Sequence, residues 1–504
     1  MTDIVLLGNV SYYNGYMKSA GVYRIATELR KNNFTVQCID LFSFMSDQEL
    51  DQILARFISK ETLYVGISST LLNVIFSPDR YFAVTNTRFK RICDYIRTLN
   101  PEIKIAVGGS QALTNFNNDH SIFKGYIDFF ISGQGEEQAI ALANHCKNNV
   151  HLKYSEINGI KYITDKHYPF NKFNTSMIDY VESDLIFQNE TLPLEIARGC
   201  AFKCSFCTYN HTGKTFGDMV KSEETLRNEV ISNYEKFGTI NYMVMDDTLN
   251  DSMQKIDFLH KIFTTLPFKI QFSSFARLDV LRKYPQMIPM LKEMGMVGVN
   301  FGIETLHKKA GQLIGKGMGE ERVKETLALC KESWGDSIAI NANFIFGLPG
   351  EPIESMIKTM DWICSADCPI DSVNLFPLSM SKNRNVSMLE KGDSKGFGYG
   401  FAGNSDVEWR HGEMSYSSAM ALKLKYDRLF SSKWPNFGII KAFVMQRLAN
   451  IGISIEDSLH INKQARSKSN IVELSDGSKV NIGQEIMSRT MLRRKQYIEK
   501  LMEL

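Results

Sequence analysis

Short apolar runs alternate with segments of helical period from the first residues of the chain onward. Ile4–Gly8, Phe34–Ile39, Leu63–Ser68, Ile103–Val107 and Asp128–Ile131 read as buried strands. Between them lie helical patterns: Gly21–Lys31, with Val22, Ile25, Ala26 and Leu29 on one face, then the stretches around Leu50–Ile58, Phe89–Leu99 and Glu136–Cys146. Strands alternating with helices predict an α/β fold with a parallel, doubly wound sheet. Ligands of such sheets sit outside the carboxyl ends of the strands. Those ends carry Ser68-Ser69-Thr70, Gly108-Gly109-Ser110 and Gly133-Gln134-Gly135-Glu136. Glycine lets backbone approach a ligand closely, and a hydroxyl is a compact donor.

The alternation pauses from about Lys147 to Asn189, a polar and aromatic bridge with turn signals at Asn158-Gly159 and Asp165-Lys166 that suit one small hairpin. It then resumes with strands at Leu192–Ala197, Asn241–Met245, Ile270–Ser274, Val297–Phe301, Ile338–Phe346 and Val373–Phe376. Helical patterns such as Met287–Glu293 and Glu320–Ser333 fill the gaps. Six βα units predict a partial barrel, whose site is built from the loops after the strands. Beyond Ser381 the periodicity changes: Gly392–Gly403 is an aperiodic loop, Ser415 is placed to cap a helix, and Ser475-Asp476-Gly477-Ser478 marks a hairpin. The basic end, Arg489 to Lys500, reads as a solvated helical face.

The first barrel strand delivers Cys200, Cys204 and Cys207, spaced C-x3-C-x2-C, with no fourth cysteine nearby. Three soft thiolates in one loop can hold three irons of a [4Fe–4S] cluster and leave the fourth iron open to a small molecule. The same residues with His211 could instead form a Cys3His zinc site, or could be buried thiols.

The cysteine spacing, with Phe206 before the third cysteine, resembles the signature of the radical S-adenosylmethionine (SAM) enzymes. The resemblance implies that the open iron is chelated by SAM, that one electron cleaves its sulfonium C–S bond to a 5′-deoxyadenosyl radical, and that Phe206 lies near the adenine. Gly302-Ile303-Glu304 resembles the family's fourth-strand motif, which implies that Glu304 accepts ribose hydroxyls. Arg277 resembles the basic residue that pairs with the SAM carboxylate, and Gly347-Leu348-Pro349-Gly350 the turn that admits the adenine. Asp246-Asp247 stands where Gly-Gly-Glu is usual, and would either belong to the site or cap the next helix.

The first-domain loops resemble the cobalamin-binding domain of one branch of that family. On that resemblance Ser68, Ser69, Gly108, Gly109, Gly135 and Glu136 cradle the cofactor. No Asp-x-His-x-x-Gly follows the first strand, so no histidine is offered to cobalt. Trp409-Arg410-His411-Gly412-Glu413-Met414 resembles the same branch's C-terminal extension. The whole then reads as 1–150, a Rossmann-like domain of cobalamin-binding type; 151–190, a linker; 191–385, a partial (β/α)6 radical SAM barrel; and 386–504, a helical region with a hairpin. The implied activity is cobalamin-dependent methyl transfer to an unactivated carbon of a small-molecule or peptide substrate, with a flavodoxin- or ferredoxin-like electron donor. A cobalamin-independent radical enzyme performing cyclisation, rearrangement or methylthiolation is the alternative, and a zinc-stabilised binding module is another.

Composition adds limits. The 504 residues suit about three domains, and a net charge of +2 gives no electrostatic reason for a nucleic-acid partner. No apolar run of about 20 residues predicts a membrane span, and no secretory pattern opens the chain. Nine scattered cysteines fit a reducing cytoplasm and not a disulfide framework. Cys38, Cys93, Cys146, Cys330, Cys364 and Cys368 read as buried thiols.

Overall fold

The computed structural model describes residues 2–8, 15–41, 45–68, 86–109, 123–209, 212–215, 217–382, 387–391, 397–402, 405 and 407–504. They form two compact units, one of Met1–Gln188, Ile231–Asn233 and Thr490–Leu504, the other of Asn189–Val230 and Tyr234–Arg489.

The first unit contains β1 (Ile4–Leu7), α1 (Ala20–Lys31), β2 (Val36–Ile39), α2 (Asp47–Phe57), β3 (Tyr64–Ser68), α3 (Asn86–Leu99), β4 (Lys104–Gly108), β5 (Phe129–Ser132), α4 (Glu136–Asn148), β6 (Ser155–Ile157) and β7 (Ile160–Thr164). Its sheet runs β2-β1-β3-β4-β5-β7-β6. Every residue of β1, β2 and β5 is buried, as expected of strands covered by helices on both faces. α2 begins where a sequence signal puts it: Ser46 accepts from Glu49 N–H, and the Glu49 carboxylate reaches back to Ser46 N–H at 2.7 Å.

The segment expected to bridge two domains does more. Its hairpin joins this sheet, with β7 parallel to β5 and β6 antiparallel to β7. Ile160 and Ile163 are fully buried, and that apolar face is why the hairpin is sheet and not tether. The basic C-terminal stretch also departs from expectation. Tyr497 and Leu501 are buried, Arg493 stacks 3.4 Å from the Phe187 ring centroid, and Arg494 pairs with Glu49.

The second unit contains β8 (Leu192–Glu195), α5 (Glu223–Phe237), β9 (Asn241–Met245), α6 (Met253–Thr264), β10 (Gln271–Ala276), α7 (Leu278–Lys283), α8 (Met287–Glu293), β11 (Met296–Glu304), α9 (Lys308–Leu313), α10 (Glu320–Trp334), β12 (Ala339–Phe346), α11 (Ile353–Ile363) and β13 (Ser372–Pro377). The six strands β8 to β13 are parallel and stand in chain order, the winding of a partial barrel. A small sheet of β14 (Gly400–Phe401), β15 (Trp409–His411) and β16 (Met414–Ser415) leads into α12 (Tyr416–Lys433), with Ser415 as its N-cap. α13 (Ala442–Ala449) follows, then α14 (Ile455–Lys463) and the hairpin β17 (Ile471–Glu473) and β18 (Lys479–Asn481).

α13 enters the barrel. Gln446 Nε2 donates to Ser273 Oγ of β10 at 3.2 Å, and a Cβ on Gly298 of β11 would come within 3.1 Å of Ala442 Cα. Gly298 is therefore the gap that lets a helix backbone approach the strand. Among the described residues no helix is long and apolar enough to cross a membrane.

Candidate active site

β8 ends in Glu195, and the chain then turns through Arg198-Gly199 into the cysteine loop. Gly199 takes φ +87°, a conformation that glycine adopts without steric cost, and its N–H donates to Asp247 Oδ2 at 3.2 Å. Gly213 N–H donates to the Cys200 carbonyl at 2.7 Å, and Cys207 N–H to the Cys204 carbonyl at 3.0 Å. Ser205 is tied to the loop after α9, its N–H donating to the Ile314 carbonyl at 3.3 Å and its hydroxyl to the Leu313 carbonyl at 3.2 Å.

The sulfurs sit among donors. Phe202 N–H points at Cys200 Sγ (3.5 Å), Tyr209 N–H at Cys207 Sγ (3.4 Å) and Arg277 Nη1 at Cys204 Sγ (3.1 Å). The Thr248 hydroxyl lies 3.2 Å from Cys200 Sγ. Such donors are placed to bond the sulfurs of a metal-bound loop. In the thiol state, burial raises the Cys207 pKa, the Tyr209 N–H lowers it, and the neighbouring Cys204 and Cys200 raise it further. Among the described residues no three His, Cys, Asp or Glu side chains converge on a single-ion site. Three thiols of one loop that share an environment without meeting at one point suit a cluster, where each sulfur binds a separate iron. The donor set fits [4Fe–4S]. His211, the expected zinc partner, lies outside the described residues.

Arg277, at the end of β10, is brought to this loop, but with its fork engaged. It donates to Asp279 through Nε (3.0 Å) and Nη2 (2.6 Å), to the Gly315 carbonyl (2.8 Å) and to Cys204 Sγ. Its guanidinium carbon stacks 3.8 Å from the Phe202 ring centroid. Burial opposes its charge, but Asp279 and Cys204 outweigh burial and raise its pKa. The expected pairing with a ligand carboxylate would have to use the one donor of five that these four bonds leave.

Glu304 ends β11 at φ +69°, past a register shift between Gly302 and Glu304. A left-handed glutamate costs of order 1 kcal/mol and marks a place where the fold holds a side chain in a set position. Its carboxylate is buried, 3.5 Å from Lys316 Nζ, which itself donates to the Gly302 carbonyl at 2.8 Å. A Cβ on Gly302 would lie 2.6 Å from Glu304 Oε1, so a side chain there would displace the carboxylate. Burial raises the Glu304 pKa, and Lys316 then Arg277 pull it back.

The acid pair divides. Asp246 is a buried counter-ion, 2.7 Å from Lys255 Nζ, whereas Asp247 holds Gly199 and lies against Tyr209. Neither caps the next helix, because Ser252 does, accepting from Lys255 N–H at 3.3 Å. Gly347, at φ +92°, is covered by the C-terminal region. The Trp409 ring lies where a Cβ would go, Trp409 Nε1 donates to the Leu378 carbonyl (2.8 Å), and the Tyr399 hydroxyl to the Gly347 carbonyl (2.6 Å).

Two residues here were missed from sequence. Lys316 lies in Gly315-Lys316-Gly317, where flanking glycines at φ +81° and +70° were the available signal. Glu351 closes the Gly347–Glu351 turn. It accepts from the Thr305 hydroxyl at 2.7 Å, its Oε2 is buried with no partner among the described residues, and burial lifts its pKa to about 7. Phe206 is half-buried beside Cys207.

In the first unit Ser68, Gly108, Gly109, Gly135 and Glu136 lie at the carboxyl ends of β3, β4 and β5, which are neighbours in the sheet. Ser69, Thr70 and Ser110 lie outside the described residues. Several of these glycines also have an internal reason. A Cβ on Gly108 would come within 3.3 Å of Ile131 Cβ, one on Gly135 within 3.1 Å of Ile25 Cδ1, and Asp165 stands where a Gly133 Cβ would go. Gly109 takes φ +137°, a conformation that favours glycine. Glu136 is buried in the first turn of α4, where the helix dipole favours a carboxylate. The sheet order suits a ligand such as cobalamin at the ends of β3 to β5, where Ser68 and Gly109 stand. Cys93, Cys146 and Cys330 are thiols whose pKa burial pushes up to about 12, 11 and 12, which fits core packing.

Comparison with known proteins agrees with this geometry. Residues 194–363 match the radical SAM superfamily. Among curated proteins, the chain is 21% identical over 255 residues to the anaerobic magnesium-protoporphyrin IX monomethyl ester cyclase of Cereibacter sphaeroides, covering 47% of this chain and 41% of that protein. It is 23% identical over 184 residues to the bacteriochlorophyllide d C-8(2)-methyltransferase of Chlorobaculum tepidum, covering 34% of this chain and 39% of that protein. The chain thus spans about two fifths of the length of these relatives. Among solved structures, the cobalamin-dependent SAM radical enzyme OxsB, with aqua-cobalamin and SAM bound, superposes with a TM-score of 0.60 at 14% identity, covering 99% of this chain and 80% of that one. The radical SAM methyltransferase TsrM from Kitasatospora setae, with cobalamin and a [4Fe–4S] cluster bound, gives 0.57 at 16% identity, covering 79% and 78%. At these identities the likeness establishes the fold.

Proposed function

We propose, from the premise that residues 194–363 belong to the radical SAM superfamily, that the chain is a cobalamin-dependent radical enzyme that methylates an unactivated carbon. The observation that carries this reading is the meeting of Cys200, Cys204 and Cys207 with Arg277, on a barrel whose next strand ends in the strained Glu304. When bound, the cluster with SAM supplies homolytic cleavage of a sulfonium C–S bond, and cobalamin supplies a methyl group.

This chain's residues do the rest. The three thiolates bind iron. Phe202 N–H, Tyr209 N–H and Thr248 orient the outer sulfurs, while Arg277 balances charge at Cys204. Asp247 fixes the turn into the loop through Gly199. Glu304, held by Lys316, offers a carboxylate to two ribose hydroxyls. Ser68, Gly108, Gly109, Gly135 and Glu136, with Ser69, would line the cobalamin side. The likeness in fold to OxsB and TsrM and the named methyltransferase relative support the assignment. The substrate is a small molecule or peptide, the electron donor is flavodoxin- or ferredoxin-like, and the setting is a reducing cytoplasm.

A second reading, radical chemistry without cobalamin, is favoured by the internal reasons for Gly108, Gly133 and Gly135 and by the cyclase relatives. One experiment separates them. The protein is reconstituted anaerobically with iron and sulfide, incubated with hydroxocobalamin, desalted and examined by visible spectroscopy and metal analysis. An iron–sulfur charge-transfer shoulder with retained corrin bands is expected. The shoulder without corrin favours the second reading, and zinc in place of iron and sulfide overturns both.

A further inference from the structure

The interior of the barrel carries a polar row on an aromatic floor. Asn374 of β13 donates to Asn341 Oδ1 (2.9 Å) and Asn343 Oδ1 (2.8 Å) of β12, and its own Oδ1 accepts from Lys441 Nζ at 2.6 Å. Lys441 is the N-cap residue of α13, the helix that enters the barrel. Among the described residues it has no carboxylate partner: Asp427 of α12 is near enough to act on it but pairs with Lys423 at 2.6 Å. By register Asn374 stands opposite Asn343, and Asn343 opposite Gly302, the residue packed under the Glu304 carboxylate. Strands lie about 4.8 Å apart, so the ammonium is roughly two strands, about 10 Å, from the Glu304 end of β11.

Phe275, Phe376 and Phe443 complete the surface. Phe275 shares its strand face with Ser273, which meets Gln446 of α13, and its ring lies 4.5 Å from that of Phe443 on the same helix. Phe376 shares its strand face with Asn374. Phe275 and Phe376 are 40% and 48% exposed, large apolar rings left open on the inner face of a barrel. An exposed apolar surface with one unpaired cation at its edge is a binding surface for an amphiphilic anion.

We infer that α13 forms the floor of the substrate chamber and that Lys441 anchors a negatively charged group of the substrate, whose apolar body lies on Phe275, Phe376 and Phe443. This rests on the radical-enzyme reading for the word substrate, but not for the binding surface. The Asn341–Asn343–Asn374 row fixes the ammonium in place before the ligand arrives, which lowers the ordering cost of binding. Burial holds the Lys441 pKa below its usual value, Asp427 opposes that shift, and Lys423 and Arg447 reinforce it.

Two fluorescent probes of nearly the same ring body test this on the reconstituted full chain: anionic 1-anilinonaphthalene-8-sulfonate and neutral N-phenyl-1-naphthylamine. Lys441→Met should weaken the anionic probe about tenfold or more and the neutral one less than twofold, with Lys441→Arg restoring most of the loss. Wild-type affinity for the anion should fall as pH rises through the lysine's pKa, and the Met variant should not follow. Phe376→Ala, at a half-exposed position that keeps the test available if Lys441→Met fails to fold, should weaken both probes severalfold. Equal anion affinity in wild type and Lys441→Met, or no effect of Phe376→Ala on either probe, overturns the inference. Cluster assembly is read on the same samples. A protein that assembles its cluster while its probe affinity ignores Lys441 loses this inference alone, and one that assembles none but discriminates the probes loses only the radical reading.

Discussion

Both sheets are parallel but for the edge strand β6, and both end strands in glycines and small polar residues, yet the two sets of ends are built differently. In the barrel unit they converge on sulfur: Arg277, Thr248 and two backbone N–H groups face the three cysteines, and the next strand ends in a glutamate at φ +69°. In the Rossmann-like unit the described residues at the ends of β1 and β2 pair with one another instead. Lys18 is fully buried, 3.7 Å from Asp40 and within 5.4 Å of the Tyr16 and Tyr23 ring centroids, with Tyr497 of the C-terminal segment 4.9 Å away. One end brings together groups suited to a cluster, and the other pairs the charges of Lys18 and Asp40, although Asp40 Oδ1 has no hydrogen-bond partner among the described residues. Topology says where a site can be, and unsatisfied or strained chemistry says whether one is there.

The largest test of that contrast is at the sulfurs. Cys204→Ala removes the thiolate that Arg277 faces, and Cys200→Ala, Cys204→Ala, Cys207→Ala together remove all three. Iron and sulfide retained after anaerobic reconstitution should fall to background in the triple variant. A brown triple variant would place the cluster elsewhere and dissolve the contrast.

Gly347→Ala comes next. The new methyl would meet the Trp409 ring at a positive φ, so overpacking and backbone strain together should cost about 2–4 kcal/mol, read as a lower urea midpoint. Adding Trp409→Leu should recover the packing part. If the double variant recovers nothing, Trp409 is not what closes this strand end.

Glu351 gives a smaller, pH-dependent signal. Its folded pKa, about 7, is above the ordinary glutamate value of 4.5, so the folded state binds the proton more tightly and stability falls as pH rises between those values. The difference corresponds to at most about 3 kcal/mol, fully expressed only above the folded value. Glu351→Gln should flatten the fall in unfolding free energy between pH 5 and pH 8, and an unchanged slope would show that the carboxylate is solvated.

The sequence made the frame legible because period is local. Apart from the hairpin of residues 155–164, apolar runs located the strands of both sheets to within a few residues, and the cysteine spacing picked out the candidate site. What it did not reveal was set by contacts far apart in the chain. Arg277 was expected to meet a ligand carboxylate, but Asp279 two residues on and the Gly315 carbonyl take most of its donors. Gly347 was expected to let backbone approach the adenine, and the structure adds Trp409, distant in sequence, where its Cβ would stand. The hairpin of residues 155–164 read as a bridge because two short strands carry too few apolar positions to announce a sheet.

The least expected effect tests the closed end itself. Tyr497 accepts the Asp40 N–H at 2.8 Å and donates its ring to Lys18, while Tyr23 also bonds the Asp40 carboxylate. Tyr497→Phe keeps the ring and removes the oxygen, leaving a buried N–H without its acceptor, at a cost of about 1–3 kcal/mol. If this end is structural, the loss appears in the unfolding free energy, and hydroxocobalamin retention per folded molecule does not change. If retention falls while stability holds, Lys18 and Asp40 belong to a ligand site at the ends of β1 and β2, and the two units are alike after all.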